Sequence, residues 1–356
     1  MNEKKTKIGV LSFNLNPNYG WILQAYALQM VLKKNGFDPI YIYRRWDNSS
    51  NDILTRIKRF IYYRFFIAPF YNFFEKNICH TKPYSSTDEL TEVVSDYSLN
   101  AVVVGSDQVW RLRYTYSLKF NFFLDFVKNA SVKKIAYAPS FGHDKWEGND
   151  VDTENVKQLL KMFDAISVRE KSGVKICKDS FDADAKFVAD PTLLLDAEDY
   201  NFILSKENIF NKPTISTYIL DPCDSKDDLI QSIAKKENAS VRQLFPLRKK
   251  YTRFKTSVED WLRSIRDAKF VVVDSFHGMV FSILFKKPFV AIVNKDRGAE
   301  RFETLASVLG LESRLIYDLE NVDASLFDEQ INYSIVDEKL AAFRKSSADF
   351  LLEALK

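Results

Sequence analysis

The stretch Phe270-Val-Val-Val-Asp-Ser-Phe-His-Gly-Met-Val-Phe-Ser-Ile-Leu-Phe-Lys-Lys-Pro-Phe289 decides the architecture. Its opening apolar residues, three of them β-branched, read as a buried strand that closes at Asp274-Ser275. An apolar helix over His277–Lys287 follows, and Pro288 turns the chain into another strand, Phe289–Val293. A strand, a crossover helix and a second strand describe a parallel pair joined by a right-handed connection.

The same grammar extends outward in both directions. Thr214–Leu220 and Val241–Leu247 read as further strands, separated by helical runs at Asp224–Asn238 and Val258–Ala268, with Ala299–Leu309 following as another helix. Nearer the start, Lys7–Phe13, Pro39–Arg44, Ala101–Ser106, Lys134–Ser140, Ala165–Arg169 and Lys186–Asp190 alternate with helical stretches. Asp190-Pro191 breaks the series, so the expected organisation is a first domain over 1–192, a second over 193–336, and an amphipathic helix over 337–356 that packs back across the domains. A length of 356 residues suits two cores better than one. The expectation is therefore an α/β protein of two Rossmann-like, doubly wound halves facing a cleft, with function in the loops beyond the carboxyl ends of the strands.

Composition removes several classes. With 46% hydrophobic and 28% charged residues the chain has ample material for cores. Lys+Arg 51 against Asp+Glu 48 leaves +3, too near balance for a general nucleic-acid binder. Cys79, Cys177 and Cys223 are odd in number and widely spaced, which suggests neither a disulfide framework nor a zinc site and fits a reducing compartment. Met1–Lys7 leads straight into a strand-like run and does not resemble a signal peptide, so a cytoplasmic location is expected. Arg56, Lys58, Arg59 and Arg64 interrupt the richest apolar stretch, which falls short of the ~18 residues a membrane span needs. Over 53–74 the same residues interleave with aromatics, a pattern that suits either peripheral contact with an anionic membrane face or aromatic packing and a subunit interface in a homo-oligomer.

Candidate chemistry collects at strand ends. Backbone N–H groups and a helix dipole converge at Ser275-Phe-His-Gly278, a natural anion site, where Ser275 offers a hydroxyl, Gly278 a close backbone approach and His277 a transferable proton. The alternative there is a plain N-cap. Gly105-Ser-Asp-Gln-Val-Trp110 follows a buried strand, and a carboxylate (Asp107), an amide (Gln108) and an indole (Trp110) together suit a sugar. The competing reading is a capped helix start with Trp110 in the core. Asn16-Pro-Asn-Tyr-Gly-Trp21 reads as a ligand loop or a capped turn, with Gln24 facing the same helix start. Arg169 can grip a carboxylate or phosphate, or form an Arg–Glu surface pair with Glu170. Further cations are Arg297, Arg301 and the run Arg248-Lys249-Lys250. His143 follows a glycine turn at Gly142, and His80 beside Cys79 reads as structural, one Cys and one His being too few ligands for zinc. No Walker loop, nucleophile elbow or dinucleotide fingerprint is present.

Taken in order, Asn18-Tyr-Gly20 with Gln24-Ala-Tyr-Ala-Leu28, Gly105-Ser-Asp-Gln-Val-Trp110, Tyr137-Ala-Pro-Ser-Phe-Gly142, Val168-Arg-Glu170, Asp190-Pro191, and Asp274-Ser-Phe-His-Gly278 with Phe281-Ser282 and Lys287-Pro288 resemble the motifs of polysaccharide pyruvyl transferases across nearly the whole chain. The resemblance implies a GT-B-like pair of Rossmann-type halves. It also implies phosphoenolpyruvate as donor and a sugar or oligosaccharide, lipid-linked or free, as acceptor, with neither metal nor cofactor required. His277 falls on the family's histidine and takes the acid role, with Arg169 in the anion clamp. Some members carry an Arg-Leu pair before this histidine, whereas Ser275-Phe276 stands here, which leaves the main phosphate cation open. The full expected set is then His277, Arg169 and Asp107 as catalytic residues, Ser275, Gly278 and Arg301 on the donor, and Asn18, Tyr19, Gly20, Gln108 and Trp110 on the acceptor. Asp107 as base is inferred from its position alone. Two rival readings are a GT-B glycosyltransferase using a nucleotide sugar and a noncatalytic carbohydrate-binding or scaffold protein of a polysaccharide assembly complex.

Overall fold

Six strands, β1 Lys7–Leu11, β2 Asp38–Tyr41, β3 Ala101–Val104, β4 Lys133–Ala136, β5 Ala165–Val168 and β6 Lys186–Phe187, pair in parallel in the order β2-β1-β3-β4-β5-β6. The computed structural model describes residues 5–45, 67–244, 256–294 and 298–356. Val10 pairs with Tyr41 on one side and Val103 on the other, and all the central strands are buried on both faces, which is why their sequences are continuous apolar runs without alternation. Helices such as Tyr19–Lys34, Asp150–Leu160 and Lys171–Phe181 form the crossovers.

A second parallel sheet contains β7 Thr214–Tyr218, β8 Ser240–Gln243, β9 Phe270–Val273, β10 Phe289–Ile292 and β11 Leu315–Ile316, in the order β11-β10-β9-β7-β8. This repeats the permutation of the first sheet: in each, the second strand in sequence lies outside the first, and the third returns to the other side. Each sheet therefore has a switch point, between β1 and β3 and between β7 and β9, where diverging connections leave room for a ligand. The chain is thus an α/β protein of two Rossmann-like halves, as expected. Among the described residues, its two compact units are 5–45 with 71–194 and 343–356, and 67–70 with the described part of 195–342. The C-terminal helix, Tyr333–Leu355, starts in the second unit and ends in the first, where Ser347 Oγ accepts the Ala189 N–H at 2.9 Å and Arg344 Nε donates to the Leu193 carbonyl at 2.7 Å.

Pairing stops earlier than the apolar runs suggest. The runs to Phe13, Ser106, Ser140 and Ser275 leave the ladder at Leu11, Val104, Ala136 and Val273, yet the residues beyond stay largely buried because side chains tie them together. Ser12 Oγ donates to the Ser106 carbonyl at 3.0 Å and accepts from Gln24 Nε2 at 2.9 Å, so Gln24 holds two strand-end loops in place. Strand β11 is only two residues long, too short to register as a periodic signal.

The aromatic and basic segment 53–66, Arg248-Lys249-Lys250 and Arg297 lie outside the described residues. Among the described residues, no helix is long and apolar enough to cross a membrane.

Gly278 has a packing task. A Cβ there would stand 2.7 Å from Val273 Cγ1, 2.9 Å from Val273 Cβ and 2.8 Å from Ser275 Oγ, so only glycine lets helix Phe276–Leu284 sit this close to the end of β9. Gly278→Ala should therefore lower unfolding stability by about 1–3 kcal/mol. The check is the urea midpoint, which an unneeded glycine would leave unmoved.

Candidate functional site

In the first unit, the loops after β1 and β3 enclose a cavity of about 220 Å³ at the switch point. It is lined by Asn14, Asn16, Asn18, Asp107 and Gln108, with Phe13 and Tyr114 as its aromatic walls. Drug-sized pockets run to ~300–1,000 Å³, so this one suits a single sugar ring, and its amides and carboxylate match hydroxyl groups. Asn18 serves twice, because it also caps helix Tyr19–Lys34 by accepting the Trp21 N–H at 3.2 Å. The loop is a capped turn and a cavity wall at once.

Asp107 is held in an unusual backbone state, φ 78°, which aspartate tolerates better than most residues. Its carbonyl accepts N–H bonds from Val109 and Ser140, both at 2.8 Å. On its side chain, Oδ1 accepts the Gln108 N–H at 2.8 Å and lies 3.6 Å from Arg169 Nη2. Arg169, 4% exposed, places Nη1 2.7 Å from Asp190 Oδ2. Asp190 is fixed in turn by Ser106 Oγ at 3.1 Å and by Thr192, whose hydroxyl and N–H donate at 2.6 and 3.0 Å. Burial works against the Arg169 charge, but Asp190, Asp107 and Glu170 outweigh it and raise the guanidinium above its ordinary range.

Arg169 and Glu170, considered above as a surface pair, do not lie on the surface. Both residues are buried, and the Glu170 carboxylate accepts the Phe141 N–H at 2.7 Å. Arg169 itself is engaged by protein carboxylates, a geometry that positions Asp107. Trp110, expected to offer its face to a sugar, is instead fully buried, donates Nε1–H to the Phe122 carbonyl at 2.8 Å and stacks on Phe123. Tyr19 and Gly20 are likewise buried in the first helical turn. The aromatics that line the cavity are Phe13 and Tyr114, the latter 41% exposed and brought there by the short helix Leu112–Thr115. Neither Tyr114 nor Asn14 carried a motif signal.

His143 meets Arg111 through Nε2 and lies 3.7 Å from Glu147, outside the set of cavity-lining residues. His80 stacks on Phe74 and pairs with Glu75 at 3.3 Å, a structural placement. Burial, with Glu170 adding to it, pushes the Cys177 thiol up to about 12, which disqualifies it as a nucleophile.

In the second unit the switch point is organised by Asp274. Its carboxylate accepts the Leu220 and Asp221 N–H groups at 2.6 and 3.0 Å and the Lys226 ammonium at 2.7 Å, fastening the loop after β7 to the end of β9. Lys226 escaped the motif reading because its partner lies 48 residues away. Ser275 caps the next helix, accepting the Gly278 N–H at 3.0 Å, so that N–H is committed while the hydroxyl proton remains available. The Phe276 ring lies beneath the Arg301 guanidinium at 5.7 Å and meets the His277 ring edge-on at 5.2 Å. Phe276 thus brackets a cation and an imidazole at one helix start, each 8% exposed. Among the described residues, no cluster of three or more His, Cys, Asp or Glu is arranged to hold a metal ion.

No curated protein is significantly similar to the chain in sequence. Among solved structures, a provisionally assigned UDP-N-acetylglucosamine 2-epimerase from Listeria monocytogenes aligns with a TM-score of 0.58 at 13% identity, covering 98% of this chain and 95% of that one. The UDP-GlcNAc 2-epimerase of Methanocaldococcus jannaschii gives 0.51 at 11% identity, covering 96% and 92%. At such identities these likenesses speak for the two-domain α/β fold alone. The sequence model of the polysaccharide pyruvyl transferases matches residues 18–296, a span that runs from the cap of the first helix through β3 and the whole second switch point, and the chain belongs to that family.

Proposed function

We propose that the protein transfers the pyruvyl group of phosphoenolpyruvate to two hydroxyls of one sugar, forming a cyclic pyruvate ketal on a cell-surface polysaccharide or its precursor. The observation that carries this reading is the Asp107 carboxylate, beside an Arg169 that Asp190 holds in place, at the edge of an amide-lined cavity. Acceptor activation is assigned to the first unit and donor activation to the second. A lipid-linked precursor would place the protein at the inner face of a membrane.

His277 gives a proton to the methylene carbon of phosphoenolpyruvate, which makes C2 electrophilic. A sugar hydroxyl attacks C2 and passes its proton to Asp107. The second hydroxyl then displaces phosphate, which leaves with that hydroxyl's proton, and the ketal closes; Asp107 then gives its proton to solvent and His277 takes one up, which restores both groups. Arg301, the Ser275 hydroxyl and the turn at Gly278 bind the donor's negative groups, and Asn18 and Gln108 bind the acceptor. Arg169 acts through Asp107, which it positions.

The test offers purified protein phosphoenolpyruvate or a UDP-hexose as donor, with free, nucleotide-linked and lipid-linked sugars as acceptors. Phosphate release with the mass shift of a pyruvate ketal is expected with phosphoenolpyruvate. Hexosyl transfer from the UDP donor would favour a glycosyltransferase, and acceptor binding without any turnover a scaffold. His277→Gln should lower kcat by about 10²–10⁴-fold, the usual worth of a general acid, while donor binding persists. Asp190→Asn should cost about 3–5 kcal/mol of stability by leaving a buried guanidinium short of a charge partner. Denaturant unfolding measures this, and an unchanged midpoint would remove Asp190 from the account.

A further inference from the structure

Beside Asp107 the cavity wall is a carboxamide whose orientation is set from behind. Gln108 Oε1 accepts a hydrogen bond from Arg111 Nη1 at 3.2 Å. The same oxygen lies directly over Gly142, where a Cβ would collide with it and would stand 2.9 Å from Arg111 Cδ. Gly142 has φ 74°, so the backbone there favours glycine and the space is kept open. Arg111, 3% exposed, is itself immobilised: Nη1 also donates to Tyr114 Oη at 3.1 Å, Nη2 meets His143 Nε2, and Nε lies 3.4 Å from Glu147 Oε1. Its guanidinium rests over the Tyr114 ring at 4.6 Å, which steadies the aromatic wall of the same cavity.

Gln108 lines the cavity, and the engagement of its oxygen by Arg111 leaves the NH₂ as the part of the amide for a ligand. An amide NH₂ only donates and a carboxylate only accepts, so neighbouring positions 107 and 108 offer one acceptor and one donor. We infer that Arg111 is a positioning residue that, together with Gly142, fixes this donor–acceptor pair. The cavity thereby selects a neutral sugar by two hydroxyls, one donating to Asp107 and one accepting from Gln108. The sugar and the use of its hydroxyls rest on the proposed pyruvyl transfer, whereas the grip itself is read by binding alone.

Gln108→Glu separates this role from a merely structural one. The new carboxylate keeps the Arg111 contact, and strengthens it, but replaces the cavity-facing donor with a second acceptor. The probes are the methyl glycosides of gluco-, galacto- and manno-hexopyranose, with binding followed by saturation-transfer NMR without donor and KM and kcat measured with phosphoenolpyruvate. At least one glycoside should bind the wild type, and Gln108→Glu should weaken that binding about tenfold or more, raising KM further than it lowers kcat. Arg111→Lys, which keeps the charge but loses the planar fork, should shift KM the same way by a smaller factor. Wild-type affinity in Gln108→Glu, or a wild type that binds none of the three glycosides, overturns the inference. Weakened binding in Gln108→Glu supports the grip whether or not phosphate is released, so failure of the pyruvyl transfer reading would be seen separately.

Discussion

A buried guanidinium shared between two carboxylates is the constraint on which the first unit's site depends. Arg169 follows β5, Asp107 follows β3 and Asp190 follows β6, so one charged contact ties together the ends of three strands. Taking these groups out of water is costly, and the arrangement persists because each has partners: Ser106 and Thr192 on Asp190, the Gln108 N–H on Asp107. Such a network does little for stability beyond what an apolar core would supply. Its value lies in holding Asp107 in a left-handed backbone conformation at a cavity, where a carboxylate on a mobile loop would wander.

The two units show one topology used in two ways. Each sheet has its second strand outside its first, and each opens a switch point. In the first unit that point holds a polar cavity with Asp107 at its edge. In the second, Asp274 and Lys226 fill it, closing the loop after β7 onto the strand end and leaving the Phe276-bracketed pair of His277 and Arg301 at the adjacent helix start. A fold of this kind supplies places for ligands but does not choose the chemistry, which comes from the side chains set at those places.

The strands were legible because a parallel sheet buried on both faces requires unbroken β-branched runs, and Phe270–Val273 and Ala101–Val104 could hardly be anything else. The loops beyond them were harder. An indole one turn past a strand reads the same whether it faces a ligand or the core, and Trp110 chose the core because Phe122 and Phe123 return to cover it. The role of Arg169 depends on Asp190, 21 residues away, a partnership visible only once β5 and β6 are side by side. Nothing in the sequence singles out Arg111, because His143, which it meets, lies 32 residues further on. Gly278 reads from sequence as a place where a ligand comes close to the backbone, while the closeness of Val273 that makes it necessary is a matter of packing.

Asp107→Asn tests the central claim most directly. Asparagine keeps the side chain's size and an oxygen for the Gln108 N–H, and Arg169 retains Asp190, so the fold and the cavity should survive. The measurement is phosphoenolpyruvate-dependent phosphate release with a bound sugar acceptor. The account predicts a fall of about 10²–10⁴-fold with acceptor binding little changed, because the hydroxyl proton has lost its destination. Release at the wild-type rate would contradict it.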